Sequence, residues 1–156
     1  MTTVEKKVDA MARMLLGVSD DDRNKARSEL CKLLTCDDPV NDRENIVHDI
    51  FKEIGVSCAN LGYEYLVEAI CMVIDNRAYA NSLTNALYPQ LAARFDTTAS
   101  RVERAIRHSV ERVFLCGDPD TLFEYFGNTV SPEKSKPTNG EFICQIANTV
   151  KLRLKK

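Results

Sequence analysis

The feature that most constrains the fold of this chain is helical periodicity, with almost no strand-like alternation of apolar and polar residues. Leu66, Ala69, Ile70 and Val73, for example, repeat at the three- and four-residue spacing of one buried helix face. The same spacing predicts helices over 46–54, 63–75, 86–94, 98–113 and 118–126, and a last helix that opens at Pro137. The predicted fold class is therefore all-α, in the form of a compact orthogonal helical bundle.

The start of the last helix carries a specific local signal. Thr138 and Glu141 form a T-x-x-E capping box, in which each side chain satisfies a backbone N–H that the first helical turn leaves without a partner. Four apolar residues then share one face and predict the side that packs into the core: Phe142, Ile143, Ile146 and Val150.

Two extra helices are predicted before residue 36. Val4, Val8, Met11 and Leu15 share one face of the first, and the second runs from the acidic residues 20–22 to about residue 34. Residues 36–45 concentrate Asp, Asn and Pro, which is typical of a linker or of a long turn. The predicted domains are a helical N-terminal extension over 1–45 and a second domain over 46–156.

The charge of the chain is unevenly distributed. The formal net charge is −2, but residues 1–93 carry 10 Lys and Arg against 15 Asp and Glu, whereas residues 94–156 carry 11 against 8. A basic half in an otherwise acidic protein can indicate a polyanion partner, although this excess of positive charge is small.

Several classes of protein are disfavoured by the sequence. Charges interrupt the apolar residues of the N-terminus, and no stretch approaches the roughly 18 apolar residues of a membrane span, so we expect a cytoplasmic protein without membrane contact. The six cysteines form no Cys-x-x-Cys pair and there are two histidines, so we expect no metal site and no cofactor. We also expect that the protein is not an enzyme, because His48 and His108 have no evident catalytic partners in the sequence and no glycine-rich phosphate loop is present.

The most informative stretch is 87–114, which has the pattern of a helix-turn-helix. The turn falls at residues 95–97, where Asp96 can adopt left-handed backbone angles, and Thr97 or Thr98 can cap the second helix. Ser100 and Glu103 offer a competing capping box. Apolar residues of both helices should pack into the crossing: Leu91, Ala92, Phe95, Val102, Ala105, Ile106 and Val110.

The opposite face of the second helix is rich in charge and has the composition of a DNA-reading surface. Arg101 can donate two bonds to guanine, and Glu103 can accept from the amino group of cytosine, so both are candidate base contacts. Arg104, Arg107 and His108 lie further along the helix and suit phosphates better. The alternative is a solvated face with weak ion pairs, which the pattern alone does not separate from the first interpretation.

Four blocks of the sequence resemble the C-terminal effector domain of sporulation stage-zero response regulators. They are Thr97–His108 (TTASRVERAIRH), Glu53–Ile74 (EIGVSCANLGYEYLVEAICMVI), Asn81–Pro89 (NSLTNALYP) and Lys136–Ile143 (KPTNGEFI), and the similarity covers about residues 46–156. The resemblance implies a helical domain that binds double-stranded DNA at an asymmetric box of the TGTCGAA type. It further implies base contacts by Arg101 and Glu103 and backbone contacts by Arg104, Arg107 and His108. We also predict that Ser100 and Lys136 contact phosphates.

The resemblance also implies partners. In the family, the segment after the recognition helix contacts the housekeeping sigma factor of RNA polymerase, and its counterpart here is 117–129, which differs in carrying Asp118, Asp120 and Glu124. We also expect the protein to bind tandem DNA sites as a dimer. Full-length members of the family carry a receiver domain of roughly 120 residues, whereas about 45 residues precede the effector domain here, so we expect neither receiver phosphorylation nor its bound metal.

Two hypotheses follow. The first is a DNA-binding transcription regulator of the sporulation-initiation type, in which the N-terminal helices replace the receiver as a dimerisation or sensing element. The second is an interaction protein that modulates a full-length sporulation regulator by mixed dimerisation or by competition for its sites. The charged face at 101–108 favours the first, because an antagonist that avoids DNA has no evident need for it.

Overall fold

A computed structural model describes residues 39–127, 129, 130 and 133–156 of this chain, and its regular elements in these ranges are helices. They are α1 (Pro39–Ile54), α2 (Leu61–Asp75), α3 (Tyr88–Arg94), α4 (Ala99–Cys116), α5 (Pro119–Phe126) and α6 (Asn139–Leu154). The predicted all-α fold class is confirmed. The two predicted N-terminal helices, with Val4, Val8, Met11 and Leu15, lie outside the described residues.

Helix α2 is the centre of the bundle formed by residues 42–156. Apolar residues occupy most of its circumference, so it is buried on several sides, and α4 and α6 both pack against it. Aromatic rings close the core at one end: Phe126 stacks on Phe142 with ring centroids 5.1 Å apart, and Phe114 meets Phe126 edge-on at 5.4 Å. The predicted core face of the last helix is confirmed by the burial of all four of its apolar residues.

Helices α2 and α4 approach most closely at Gly62. A Cβ atom at this position would lie 2.2 Å from the Ser109 hydroxyl oxygen and 2.4 Å from the Ala105 carbonyl oxygen. Only a residue without a side chain allows this contact, since a backbone carbonyl cannot rotate away. The glycine therefore fixes how closely α4 is held against the central helix.

Some predicted boundaries were wrong. Helix α1 begins at Pro39 rather than at residue 46, so part of the segment interpreted as a linker or turn is helical; proline suits a first helical turn and Asp42 adds a favourable charge there. The short helix starts at Tyr88 rather than at residue 86. The chain before it forms a 3-10 turn (Arg77–Asn81) and a π-helical turn (Leu83–Leu87), in which the N–H of Leu87 bonds to the Ser82 carbonyl at 3.1 Å.

A polar network joins α1, α5 and α6. The Tyr125 hydroxyl donates to Glu53, Arg153 Nη2 donates to the Tyr125 oxygen at 2.6 Å, and the same guanidinium pairs with Glu53 at 3.2 Å. Burial, reinforced by the hydrogen bond to the Glu53 carboxylate, raises the pKa of Tyr125 to about 12. The hydrogen bonds from Tyr125 and Arg153 lower the pKa of Glu53.

The cysteines of the described ranges are free thiols in unlike environments. Cys71 is buried, and burial raises the pKa of its thiol to about 11, as expected for a small core residue. Cys58 and Cys116 are exposed, so these two do not serve as core residues. Across the described ranges, no group of three or more potential ligands could hold a metal ion, and no helix is both long and apolar enough to cross a membrane.

Candidate nucleic-acid interface

The turn between α3 and α4 forms as its sequence predicts. Asp96 has a φ of 49°, in the left-handed region that Asp tolerates better than most residues, and the N–H of Thr97 bonds back to the Ala92 carbonyl at 2.9 Å. Thr98 caps α4 by accepting from the N–H of Arg101 at 3.4 Å. The competing Ser100–Glu103 box is not used, because Thr98 is the N-cap and the Glu103 carboxylate pairs with Arg107.

One side of α4 is buried and thereby determines which side faces outward. Val102, Ile106, Val110 and Val113 are buried together with Ser109, and on α3 Leu91 and Ala92 are buried. Phe95 and Ala105 are only half-buried, and the Phe95 ring packs edge-on against Tyr65 at 4.9 Å. The predicted helix-turn-helix packing is thus confirmed. Helix α4 continues to Cys116, beyond the predicted end at residue 113.

The candidate DNA-contacting residues of α4 lie on its open side. Ser100, Arg101, Arg104, Arg107 and His108 are exposed, and Glu103 is half-buried. Arg101, Arg104 and His108 follow one another at the three- and four-residue spacing of a single strip, whereas Glu103 lies on the neighbouring strip with Arg107. Arg101 and Glu103 therefore sit on the two edges of the exposed face.

Intramolecular ion pairs occupy part of this surface. Arg107 pairs with Glu103 one turn earlier in the same helix. Lys136, which precedes α6, reaches Glu111 of α4 with its Nζ 2.5 Å from the carboxylate oxygen, and this hydrogen bond lowers the pKa of Glu111. By contrast, the guanidinium groups of Arg101 and Arg104 make no hydrogen bond or ion pair with the residues that the structure describes.

A cleft of about 660 Å³ runs between α4 and the segment 133–140. Its walls bring Lys134 and Lys136 beside Arg107 of the candidate surface. Asn139, at the start of α6, donates from Nδ2 to the Tyr88 hydroxyl at 3.2 Å and to the Glu103 carbonyl at 3.4 Å. The structure thus places Lys136 next to the recognition helix, although many residues separate them in sequence.

Three residues of this surface were not predicted from the sequence: Tyr88, Glu111 and Asn139. Glu111 has the charge expected of an exposed helix face, but nothing in the sequence indicates its contact with Lys136. Asn139 belongs to the block 136–143 that carried the resemblance, but nothing in its type or spacing indicated a contact with another helix. Tyr88 is 5% exposed and differs from an ordinary core residue only in the hydrogen bond that its hydroxyl accepts from Asn139.

The segment 117–129 lies directly after α4 and contains α5. Asp118 caps α5 by accepting from the N–H of Thr121 at 3.0 Å. The hydrogen bond from the Thr121 hydroxyl, and after it this backbone bond, lower the pKa of Asp118. Phe123 is 73% exposed and Leu115, near the end of α4, is 82% exposed. The exposed Asp120 and Glu124 give this apolar surface acidic neighbours.

Residues 47–150 match the family model described as "Sporulation initiation factor Spo0A C terminal". The match covers two-thirds of the chain and all of α2 to α5. The chain belongs to the Spo0A C-terminal family. This family consists of helical DNA-binding domains of transcription regulators in sporulation and is not a family of enzymes. The expectation drawn from the four sequence blocks is therefore confirmed at the level of the family, and DNA is the partner that follows from it.

Proposed function

We propose that this protein is a sequence-specific regulator of transcription that reads a TGTCGAA-like box of double-stranded DNA with α4. In this proposal Arg101 and Glu103 contact bases in the major groove, and the backbone is contacted by Ser100, Arg104, Arg107, His108 and Lys136. The single observation that carries the proposal is the arrangement of α4. Its apolar side is buried, its start is capped by Thr98, and its candidate contacts face solvent near the N-terminal end, where a recognition helix meets base edges.

The positions of Arg101 and Glu103 support different base contacts for the two residues. Because they lie on the two edges of the exposed face, they reach different positions along the groove rather than one base pair. Each good contact of this kind contributes about 1–3 kcal/mol of discrimination against the wrong base. Two such contacts are enough for a modest but measurable preference for one box.

The test is a competition between two duplexes at fixed salt. Labelled DNA with one TGTCGAA box is displaced by the unlabelled box or by a duplex with the same bases shuffled, at about physiological ionic strength because phosphate contacts depend on salt. We expect the unlabelled box to displace the labelled DNA at a concentration at least about tenfold lower than the shuffled duplex requires. This corresponds to a difference in binding free energy of roughly 1.4 kcal/mol. Equal competition by both duplexes would refute sequence-specific binding.

We further propose that the protein binds tandem boxes as a dimer. On DNA with two boxes in tandem, the second box should then be filled at a lower protein concentration than the affinity for a single box predicts. Moving the boxes apart by half a helical turn is the matched control, since it places the two copies on opposite sides of the duplex. Identical, independent binding at both spacings would contradict the dimer.

The segment 117–129 is the proposed contact with the sigma factor of RNA polymerase. An exposed Phe123 next to Asp118, Asp120 and Glu124 suits a partner surface that offers an apolar pocket with basic residues around it. A Phe123→Ala variant should keep its affinity for the box and lose activation of transcription in a purified system. Unchanged activation would exclude this residue from the contact.

A further inference from the structure

Three helices meet at one half-buried amide beside the candidate recognition surface. Asn139 is the first residue of α6, and its Nδ2 donates to the Tyr88 hydroxyl of α3 at 3.2 Å and to the backbone carbonyl of Glu103 in α4 at 3.4 Å. The two N–H bonds of one side chain therefore connect the first helix of the helix-turn-helix, the recognition helix and the last helix of the bundle.

The backbone that carries Asn139 is itself held firmly. Thr138 and Glu141 complete the capping box, with the Thr138 hydroxyl accepting from the N–H of Glu141 and the Glu141 carboxylate accepting from that of Thr138 at 2.8 Å. Pro137 is buried, and Gly140 lies so close to Leu83 that an added Cβ would be 2.9 Å from Leu83 Cδ1. The capping box thus holds the start of α6 on both sides of the asparagine.

The two acceptors are fixed as well. Tyr88 is buried, and burial raises the pKa of its hydroxyl, so this group stays neutral and keeps its hydrogen atom at neutral pH. The Glu103 carbonyl belongs to the backbone of the second turn of α4. A bond to this carbonyl acts on the helix itself, so it restrains both rotation of α4 about its axis and sliding along it.

We propose that Asn139 is a positioning residue for base recognition, which acts by holding the second turn of α4 in register with α3 and α6. The inference rests on the proposed function, because it assigns Asn139 a role in reading DNA through Glu103. A side chain at the surface of a helix lies further from the axis than the backbone does, so a small rotation of α4 displaces the Glu103 carboxylate more than its carbonyl. Recognition by hydrogen bonds tolerates displacements of only about 0.5 Å.

The test compares discrimination between bases rather than affinity alone. A set of boxes, each with one base pair replaced, is first bound by the Glu103→Ala variant to find the base pair that this variant no longer distinguishes. We expect Asn139→Ala to lose about fivefold or more of its discrimination at that same base pair. Its affinity for shuffled duplex should stay within about twofold of wild type, because phosphate contacts made by charge tolerate a small displacement of α4 better than hydrogen bonds to base edges do.

Two further variants make the result decisive. Tyr88→Phe keeps the ring and removes only the hydroxyl acceptor, so it should lose less discrimination at the same base pair than Asn139→Ala does. If Asn139→Ala does not fold, Tyr88→Phe still tests the inference. Asn148→Ala is the matched control, since Asn148 is an exposed asparagine of the same helix. It should behave as wild type.

Three outcomes would overturn the inference. One is full discrimination in a folded Asn139→Ala or Tyr88→Phe protein. Another is an equal loss of affinity on every duplex, which indicates a structural role without effect on base reading. Both leave the proposed function intact. If wild-type protein itself does not prefer the box to shuffled DNA, the proposed function fails and this inference fails with it.

Discussion

Carboxylates of α4 form ion pairs with two of the cations that are proposed to contact DNA. Glu103 pairs with Arg107 and Glu111 pairs with Lys136, whereas the guanidinium groups of Arg101 and Arg104 have no carboxylate partner in the part of the chain that the structure describes. Exposed pairs of this kind contribute little to stability. These pairs should instead lower the affinity for DNA, because a cation that is paired with a protein carboxylate must leave it before it can pair with a phosphate.

The Lys136–Glu111 pair gives the first prediction. In Glu111→Gln, Lys136 loses its carboxylate partner and the surface gains one net positive charge. We expect affinity to rise on box and shuffled DNA alike, by about 2- to 10-fold, and the salt dependence of log K to steepen by about one phosphate contact. Affinities measured over a range of salt concentrations test this.

The matched control is Asp49→Asn on α1, which changes net charge equally at an exposed position outside the proposed interface. An identical change of affinity and slope in both variants would mean that overall charge, and not the release of Lys136, is responsible.

Residue-scale features were predictable from sequence where they are local. The capping box at Thr138 and the left-handed turn at Asp96 depend on neighbours within a few residues, and both are confirmed. The pair between Lys136 and Glu111 and the bridge from Asn139 could not be predicted in this way. They exist because the packing of α6 brings the segment before it beside α4.

At the scale of elements, the recognition helix is held by its contact with α2. The closest point of this contact is Gly62, opposite Ala105 and Ser109, near the middle of α4. The face that α4 presents to solvent therefore depends on a residue of another helix. A substitution at Gly62 should therefore lower the free energy of unfolding.

The second prediction concerns this contact. In Gly62→Ala the new methyl group overlaps the Ala105 carbonyl, which belongs to the helix backbone. We expect the free energy of unfolding to fall by about 1–3 kcal/mol, although alanine itself favours helices. Urea unfolding followed by circular dichroism measures it.

Gly140→Ala is the control for the second prediction. Its new methyl group meets only the end of the Leu83 side chain, at 2.9 Å, which can move aside. We expect a change within about 0.5 kcal/mol. If Gly140→Ala lowers the free energy of unfolding as much as Gly62→Ala does, the cause is the added methyl group in general and not the contact between α2 and α4.

Helix positions were largely predictable, and the errors have physical reasons. Periodicity locates α2, α4 and α6 because each has a continuous buried face. The start of α1 at Pro39 was missed because its first residues are polar and resemble a linker. The π-helical turn before Tyr88 was missed because an extra residue in a turn leaves no signature in apolar spacing.

At the scale of the whole molecule, the Glu53–Tyr125–Arg153 network connects the beginning and the end of the described bundle. It fixes α5, and with it the segment proposed to contact the sigma factor, against α1 and α6. Sequence could not predict it, because its members are far apart in the chain and each is an ordinary surface residue by itself.

The third prediction uses the pKa of Tyr125. Because the folded state raises this pKa to about 12, from about 10 in the unfolded chain, the folded state favours the protonated hydroxyl. The contribution to stability is complete below about pH 10 and is lost as pH rises towards about 12. Tyr125→Phe should therefore lose stability less steeply with rising pH above about pH 10.

Urea midpoints of wild type and Tyr125→Phe across this pH range check the prediction. A residual slope is expected in the variant, since burial also raises the pKa of Tyr63 and Tyr88. Parallel curves for the two proteins would contradict the assigned role of Tyr125.

The central claim is that α4 reads DNA sequence, and Arg101 is the residue through which it is tested most directly. The measurement is the affinity of wild type, Arg101→Ala and Arg107→Ala for one TGTCGAA box and for shuffled duplex at the same salt concentration. We expect Arg101→Ala to lose about 1–3 kcal/mol on the box and little on shuffled DNA, and Arg107→Ala to weaken both alike. Equal losses on box and shuffled DNA in Arg101→Ala would contradict the claim.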